Sequence, residues 1–204
     1  MLPLYLASAS PRRRELLEGL GLRFVVEPAE VDESVLAGEG AQEHVVRLAA
    51  KKAAEVAARL RDRGTAALVL AADTTVAIDG AILGKPADAA DALAMLRRLA
   101  GARHEVLTAC RLVRTDDGRA AAAIAITGVH FNAWDERLLR WYVGTGEPMD
   151  KAGAYGIQAR GVLLCRGIDG SWSNVVGLPM ESLPALFKDV GDDLLLRLAG
   201  GNAG

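Results

Sequence analysis

Aromatic residues are scarce in this chain of 204 residues, with three each of Trp, Tyr and Phe. Charge of one sign is also lacking: 24 Lys and Arg stand against 26 Asp and Glu, a formal net charge of −2. No global basic field therefore exists to hold a nucleic-acid backbone, and an anionic ligand must be held by a local cluster. There are only two cysteines, Cys110 and Cys165, each inside an apolar run. Their spacing matches no metal site, and two separate buried thiols in a reducing compartment fit better than a disulfide. No apolar run approaches the roughly 20 residues that span a bilayer. The apolar run at residues 2–7 is too short for a signal segment, and its positive charges follow rather than precede it. The expected location is the cytoplasm. His44, His104 and His130 sit in separate elements without ligand spacing, so structural or surface roles are expected and zinc is not.

What is present is a globular composition, 51% hydrophobic and dominated by Ala, Val and Leu. Strand-like and helix-like patterns alternate. Residues 2–7 read as a short buried strand, 11–20 as a helix and 23–27 as a strand. Residues 43–63 carry apolar side chains at helical period: Val45, Leu48, Ala49, Ala53, Val56, Ala57 and Leu60. An apolar run at 66–72 ends in Asp73, and strand-like segments at 74–78 and 81–83 flank Asp79-Gly80, a strong hairpin signal. Residues 87–99 read as a helix, 105–113 and 120–131 as long strands, 135–143 as a helix, 162–168 as a strand and 179–190 as a helix. No internal repeat or linker divides the chain. The expectation is one domain over residues 1–197 and a disordered Gly-rich tail over 198–204. The mixture of βα units and long hairpins predicts an α/β fold with a mixed central sheet flanked by helices.

Five constellations carry chemistry. Ser10 suits an N-cap and Pro11 the first helical position, which places Arg12, Arg13 and Arg14 in a first turn. The macrodipole is already positive there and disfavours three cations, unless an anion docks on the free N–H groups. A phosphate cradle is therefore preferred to a solvated basic turn. Lys52 falls in the apolar stripe of its helix, either running its stem along the core, which the spacing alone favours, or offering its charge to a phosphate. Asp73, at the end of a buried run, suits a hard-metal ligand or a general base. The segment at 80–86 superficially resembles a phosphate-binding P-loop, but it is one residue short and has no Ser or Thr after Lys85. Lys85 remains a candidate phosphate ligand beside Pro86. Residues 146–161, polar and glycine-rich, read as a binding loop in which the Gln158 amide could pair with a base edge.

Seven ordered blocks resemble the Maf family: Ser8-Ala9-Ser10-Pro11-Arg12-Arg13, Asp32-Glu33, Lys52-Ala53, Ala72-Asp73-Thr74, Gly84-Lys85-Pro86, residues 150–158 from Asp150 to Gln158, and residues 173–179 from Ser173 to Pro179. The resemblance implies an elongated α/β fold similar to the inosine-triphosphate pyrophosphatases, with a cleft between two lobes and often a homodimer. It implies hydrolysis of a nucleoside triphosphate to monophosphate and pyrophosphate with a divalent cation, Mg²⁺ or Mn²⁺. The Tyr155-Gly156-Ile157-Gln158 block looks like the subgroup acting on dTTP and UTP. By resemblance Asp73 is the proton acceptor, and Arg12, Thr74 and Gln158 set base preference. Arg13, Glu33, Lys52 and Lys85 match further polar positions of the active cleft. Glu33 and Asp73 are the expected metal ligands. Ser8 and Ser10 with the helix N–H groups are expected to hold phosphate oxygens, and Lys151 to contact substrate. Arg14 matches no functional position. Two other readings stand beside this one. The first is a nucleotide-binding regulator of septum formation, from the role tied to the family name, and the second is a 7-methyl-GTP pyrophosphatase.

Overall fold

The computed structural model describes residues 1–201. Its strands are β1 (Leu4–Leu6), β2 (Val25–Val26), β3 (Leu68–Ile78), β4 (Ala81–Leu83), β5 (Arg103–Arg114), β6 (Ala120–Phe131) and β7 (Cys165–Asp169). Its helices are α1 (Pro11–Gly19), α2 (Ala41–Asp62), α3 (Ala89–Leu99), α4 (Glu136–Gly144), α5 (Trp172–Val176), α6 (Leu183–Asp189) and α7 (Leu194–Gly201). All seven strands join one sheet in the order β2-β1-β3-β5-β6-β7, with β4 paired to β3. The β1 pairings with β2 and β3 are parallel and every other pairing is antiparallel, so the sheet is mixed, as expected.

The long strands run through two lobes. In the first lobe Leu68, Leu70 and Ala72 pack with Leu17 of α1 and with Leu183, Leu186 and Phe187 of α6. On the opposite face of the sheet, α2 lays Ala53, Val56, Ala57 and Leu60 on Val69 and Ala71. Small side chains at 53 and 57 let this helix approach closely, and its nine buried positions keep the helical period. In the second lobe Val76 and Ile78 at the far end of β3 pack with Leu93 and Leu96 of α3 and Leu139 and Tyr142 of α4. Four of the nine Trp, Tyr and Phe residues, Phe131, Trp134, Tyr142 and Tyr155, pack in this lobe, where His104, Phe131 and Tyr155 meet edge to face with centroids 4.6–5.3 Å apart.

Several boundaries differ from expectation. Asp73 does not end a strand: β3 runs unbroken through it for 11 residues, because β5 pairs with it continuously from Leu68 to Ala77. The other edge of β3 is what is interrupted. There β1 pairs only with Leu68 to Leu70, and β4 only with Val76 to Ile78. Residues 71–75 are left without a strand neighbour on that side, and the cleft opens at this gap. The strand expected at 162–168 begins instead at Cys165, after a 3-10 turn at Ala159–Leu163. Residues 179–190 form a 3-10 turn at Met180–Ser182 followed by α6. Helix α7 extends over residues 198–201 of that tail, and residues 202–204 lie outside the described residues. Both cysteines are free, Cys110 buried and Cys165 half-buried.

Candidate active site

The gap beside β3 opens into a cleft of about 550 Å³ between the lobes. Alternation along the strand sends Asp73 toward α2 and Thr74 toward α1 and α5. On the α2 side, the Lys52 ammonium lies 2.7 Å from Asp73 Oδ1 and 2.6 Å from Glu33 Oε1. Lys52 and Asp73 are buried while Glu33 is half-exposed. Thus Lys52 does not merely cover core with its stem; it bridges two carboxylates at the cleft floor. Burial alone would raise the Glu33 carboxyl, but the hydrogen bond and charge of Lys52, aided by Lys85 and Arg13, hold it below its ordinary value.

Glu33 sits in an irregular segment, and a second cluster fastens that segment to α2. Arg47 donates to the Ser34 carbonyl at 2.9 Å and pairs with Glu39, whose other contacts include His44 Nδ1 at 3.0 Å. His44 is buried and lines the cleft.

On the α1 side Ser10 occupies the N-cap and Pro11 the first turn, as expected, but the Ser10 side chain does not cap the helix. Instead the Ser10 N–H donates to Ser8 Oγ at 3.2 Å. Arg13 is buried, and each of its three nitrogens donates within the protein: Nε to the Gly177 carbonyl at 2.8 Å, Nη1 to Ser8 Oγ and Nη2 to Thr74 Oγ1, both at 3.0 Å. Burial lowers its pKa, opposed chiefly by Asp73, so the charge is retained inside the wall. Arg13 therefore ties the Ser8 and Thr74 hydroxyls into one surface and lends charge, with two N–H groups left over. Thr74 also meets Thr108 Oγ1 at 2.8 Å. Arg14 points away, exposed, 3.5 Å from Glu18.

At the mouth Arg12 Nη1 reaches Asp150 Oδ2 at 2.8 Å, linking residues 138 apart. Asp150 Oδ1 accepts from Lys151 Nζ at 2.7 Å, and the same ammonium donates to the Glu147 carbonyl at 2.6 Å. Gln158 and Lys85 also line the cleft, Gln158 half-buried and Lys85 exposed. Neither forms a side-chain hydrogen bond or ion pair among the described residues.

Residues 3–190 match the model of the family described as Maf-like protein. The chain belongs to that family. It is 50% identical over 189 residues to a dTTP/UTP pyrophosphatase of Myxococcus xanthus, covering 92% of each chain. It is 49% identical over 183 residues to a dTTP/UTP pyrophosphatase of Oleidesulfovibrio alaskensis, covering 89% of this chain and 82% of the relative. Among solved structures, a nucleoside-triphosphatase described as a dITP/XTP pyrophosphatase from Mycobacterium abscessus is similar at TM-score 0.39 and 16% identity. That likeness covers 65% of this chain and 74% of the other.

All eleven of the site residues expected from sequence, from Ser8 to Gln158, line this one Maf cleft. Tyr142 is not singled out by the sequence, and Glu147 and Asp150 stand there only as polar members of the 146–161 loop, without a role of their own at the site. The Tyr142 hydroxyl donates to Glu147 Oε1 at 3.0 Å and accepts from the Gly156 N–H at 3.2 Å, bracing the loop that carries Gln158. A side chain at Gly161 would place its Cβ 1.9 Å from the Gly156 carbonyl, so close packing requires glycine there. The signal for Asp150 was its place beside Lys151 in the polar loop; nothing local identifies Arg12 as its partner.

Proposed function

We propose that this chain hydrolyses dTTP and UTP to the nucleoside monophosphate and pyrophosphate, keeping such triphosphates out of the nucleotide pool. The observation that carries this reading is the pair of carboxylates, Asp73 and Glu33, both within 2.7 Å of one ammonium at the floor of a cleft rimmed by Ser8, Ser10, Arg12, Arg13 and Lys85. The names of the relatives, dTTP/UTP pyrophosphatase, supply the substrate class.

A divalent cation, Mg²⁺ or Mn²⁺, fits this donor set. Asp73 Oδ2 and Glu33 Oε2 make no hydrogen bond among the described residues, and hard cations of this kind are held by one or two carboxylates together with substrate phosphates and water. No group of three His, Cys, Asp or Glu side chains stands ready as a complete cage among the described residues, which agrees with a site completed by substrate. When bound, such a cation polarises the phosphate oxygens.

The chain's own residues supply the rest. Asp73 takes a proton from the attacking water, the new bond forms at the α-phosphorus, and the bridge to the β-phosphate breaks with pyrophosphate as leaving group. Ser8, Ser10 and the first N–H groups of α1 hold phosphate oxygens. Lys52 and Lys85 neutralise charge that builds on the leaving group, and Arg13 holds Ser8 and Thr74 in place while adding charge. Arg12 and Gln158 meet the base, and Lys151 closes the mouth near them. No helix among the described residues is long and apolar enough to cross a membrane. A cytoplasmic homodimer is the proposed working form, and the uncharged edge of β6 from Ala120 to Thr127, which β7 leaves uncovered, offers one surface for it.

The test is incubation with a panel of nucleoside triphosphates, with Mg²⁺ or Mn²⁺ and after chelation, in ¹⁸O-labelled water. Pyrophosphate and labelled monophosphate should appear with dTTP and UTP, and chelation should stop both. Inorganic phosphate in place of pyrophosphate would overturn the bond assigned, and 7-methyl-GTP as the best substrate would overturn the base assigned.

A further inference from the structure

The mouth of the cleft carries one carboxylate between two cations. Asp150 accepts from Arg12 Nη1 at 2.8 Å through one oxygen and from Lys151 Nζ at 2.7 Å through the other. Its side chain is 58% exposed, and an exposed ion pair contributes little to folding. Stability is thus a poor reason for the arrangement, and what it does is geometric. Asp150 is the only ion-pair partner of Arg12 among the described residues, and it spans from the start of α1 to the 3-10 turn at Glu147–Asp150, across the cleft. The guanidinium is planar and rigid, so fixing Nη1 on a carboxylate fixes the directions of its remaining N–H groups. Those groups have no partner among the described residues, and Arg12 lines the cleft. Lys151 is fixed by the same carboxylate, and its stem lies against Gly156, where a Cβ would stand 2.9 Å from Lys151 Cε. The backbone two residues before Gln158 therefore rests on a side chain that Asp150 orients.

We propose that Asp150 is a positioning residue for base selection, aiming the free N–H groups of Arg12 at a ring carbonyl while Lys151 backs the loop that presents Gln158. The inference rests on the proposed function, in which Arg12 and Gln158 meet the base. A 2,4-dioxo pyrimidine offers carbonyl acceptors on both sides of its N3–H, whereas cytosine carries a donor amine at position 4 and an acceptor at N3. An Arg12 held as a fixed donor, with an amide at Gln158 that presents donor and acceptor together, favours the dioxo ring. Rejection of a substrate that leaves such polar groups unpaired is where large discrimination comes from.

The test compares wild type with Asp150→Asn and Asp150→Glu, measuring kcat and KM separately for dTTP, UTP and dCTP. Calorimetry with the α,β-methylene analogues of dTTP and dCTP gives affinity without turnover. Asparagine keeps the shape but turns an amide N–H₂ toward one of the two cations. Expected for Asp150→Asn is a rise of about ten-fold in KM for dTTP and in the dissociation constant of the dTTP analogue, and a dTTP-to-dCTP preference about ten-fold smaller. Asp150→Glu should recover part of the preference. An unchanged dTTP-to-dCTP ratio, or a uniform loss for all three nucleotides, would overturn the proposal. Failure of the wild type to turn over any triphosphate would instead overturn the function it rests on, while the ratio of affinities for the α,β-methylene analogues of dTTP and dCTP, in wild type and variants, still decides the role of Asp150.

Discussion

The floor and the mouth of this cleft are electrostatic opposites. At the floor one ammonium, Lys52, stands between the carboxylates of Asp73 and Glu33; at the mouth one carboxylate, Asp150, stands between Arg12 and Lys151. Burial separates them as well, since the Asp73 side chain is 8% exposed and that of Asp150 58%. A surplus of negative charge held away from water invites a hard cation and suits proton transfer. A surplus of positive charge near water attracts an anionic ligand and orients it without chemistry of its own. The difference teaches that charge pattern and depth together distinguish the two ends of the cleft, and in the proposed function they sort the phosphate end of the nucleotide from its base.

The contrast breaks most sharply at Asp73. Asp73→Asn should keep the fold and lower the rate of pyrophosphate release from dTTP about a thousand-fold, the scale of a lost general base. Wild-type turnover by that variant would remove Asp73 from its assigned role. Replacing the shared cation comes next. Lys52→Met leaves two carboxylates facing each other with no charge between them, and removing one partner of a buried pair costs about 3–5 kcal/mol. The lower end is expected because Glu33 is half-exposed, to be read as a lowered urea midpoint without metal; an unchanged midpoint would show that the pair is not desolvated as described.

At the mouth, Gly161→Ala sets a Cβ against the Gly156 carbonyl and the Tyr142 hydroxyl. It should cost about 2 kcal/mol, the range of core overpacking, and raise KM for dTTP as the Gln158 loop shifts. Thermal melting and steady-state kinetics together check this. The acid limb gives a smaller signal. Burial would raise the Asp150 carboxyl, but its hydrogen bonds from Lys151 and Arg12 prevail and hold it at about 2, below the ordinary 3.8. A lowered folded value means the pair is fully present above 3.8 and lost only as the pH falls toward about 2. Carboxyl NMR should find that midpoint, and Arg12→Ala should move it upward. Arg14→Ala is expected to change stability by less than about 0.5 kcal/mol and dTTP hydrolysis not at all, since its only pair among the described residues is exposed.

Sequence reading reached far into this molecule but stopped at identifiable places. The stripe of α2, the Asp79-Gly80 turn and the strand-to-helix junction at Ser10-Pro11 were all legible, because each is decided by neighbours within a few residues. In sequence Asp73 reads as a strand end, because a carboxylate after seven apolar residues interrupts the local pattern. The long pairing with β5 overrides it. The three arginines of α1 look alike in the sequence, yet one is tied inside the wall, one bridges the mouth and one is solvated. Lys52 showed the limit most clearly, since a lysine in an apolar stripe has the same spacing whether it covers core or faces carboxylates.

The sequence by itself determined the family, the mixed α/β character and the residues from which the cleft is made. Burial period and turn chemistry are local, and they survive being read along the chain. Only the tertiary structure decided the gap between β1 and β4 along the edge of β3, and with it where the cleft opens. It alone decided the charge partners, joining Lys52 to Asp73 over 21 residues and Arg12 to Asp150 over 138. An ion pair depends on distances set by the closed chain, and no spacing along the sequence encodes them.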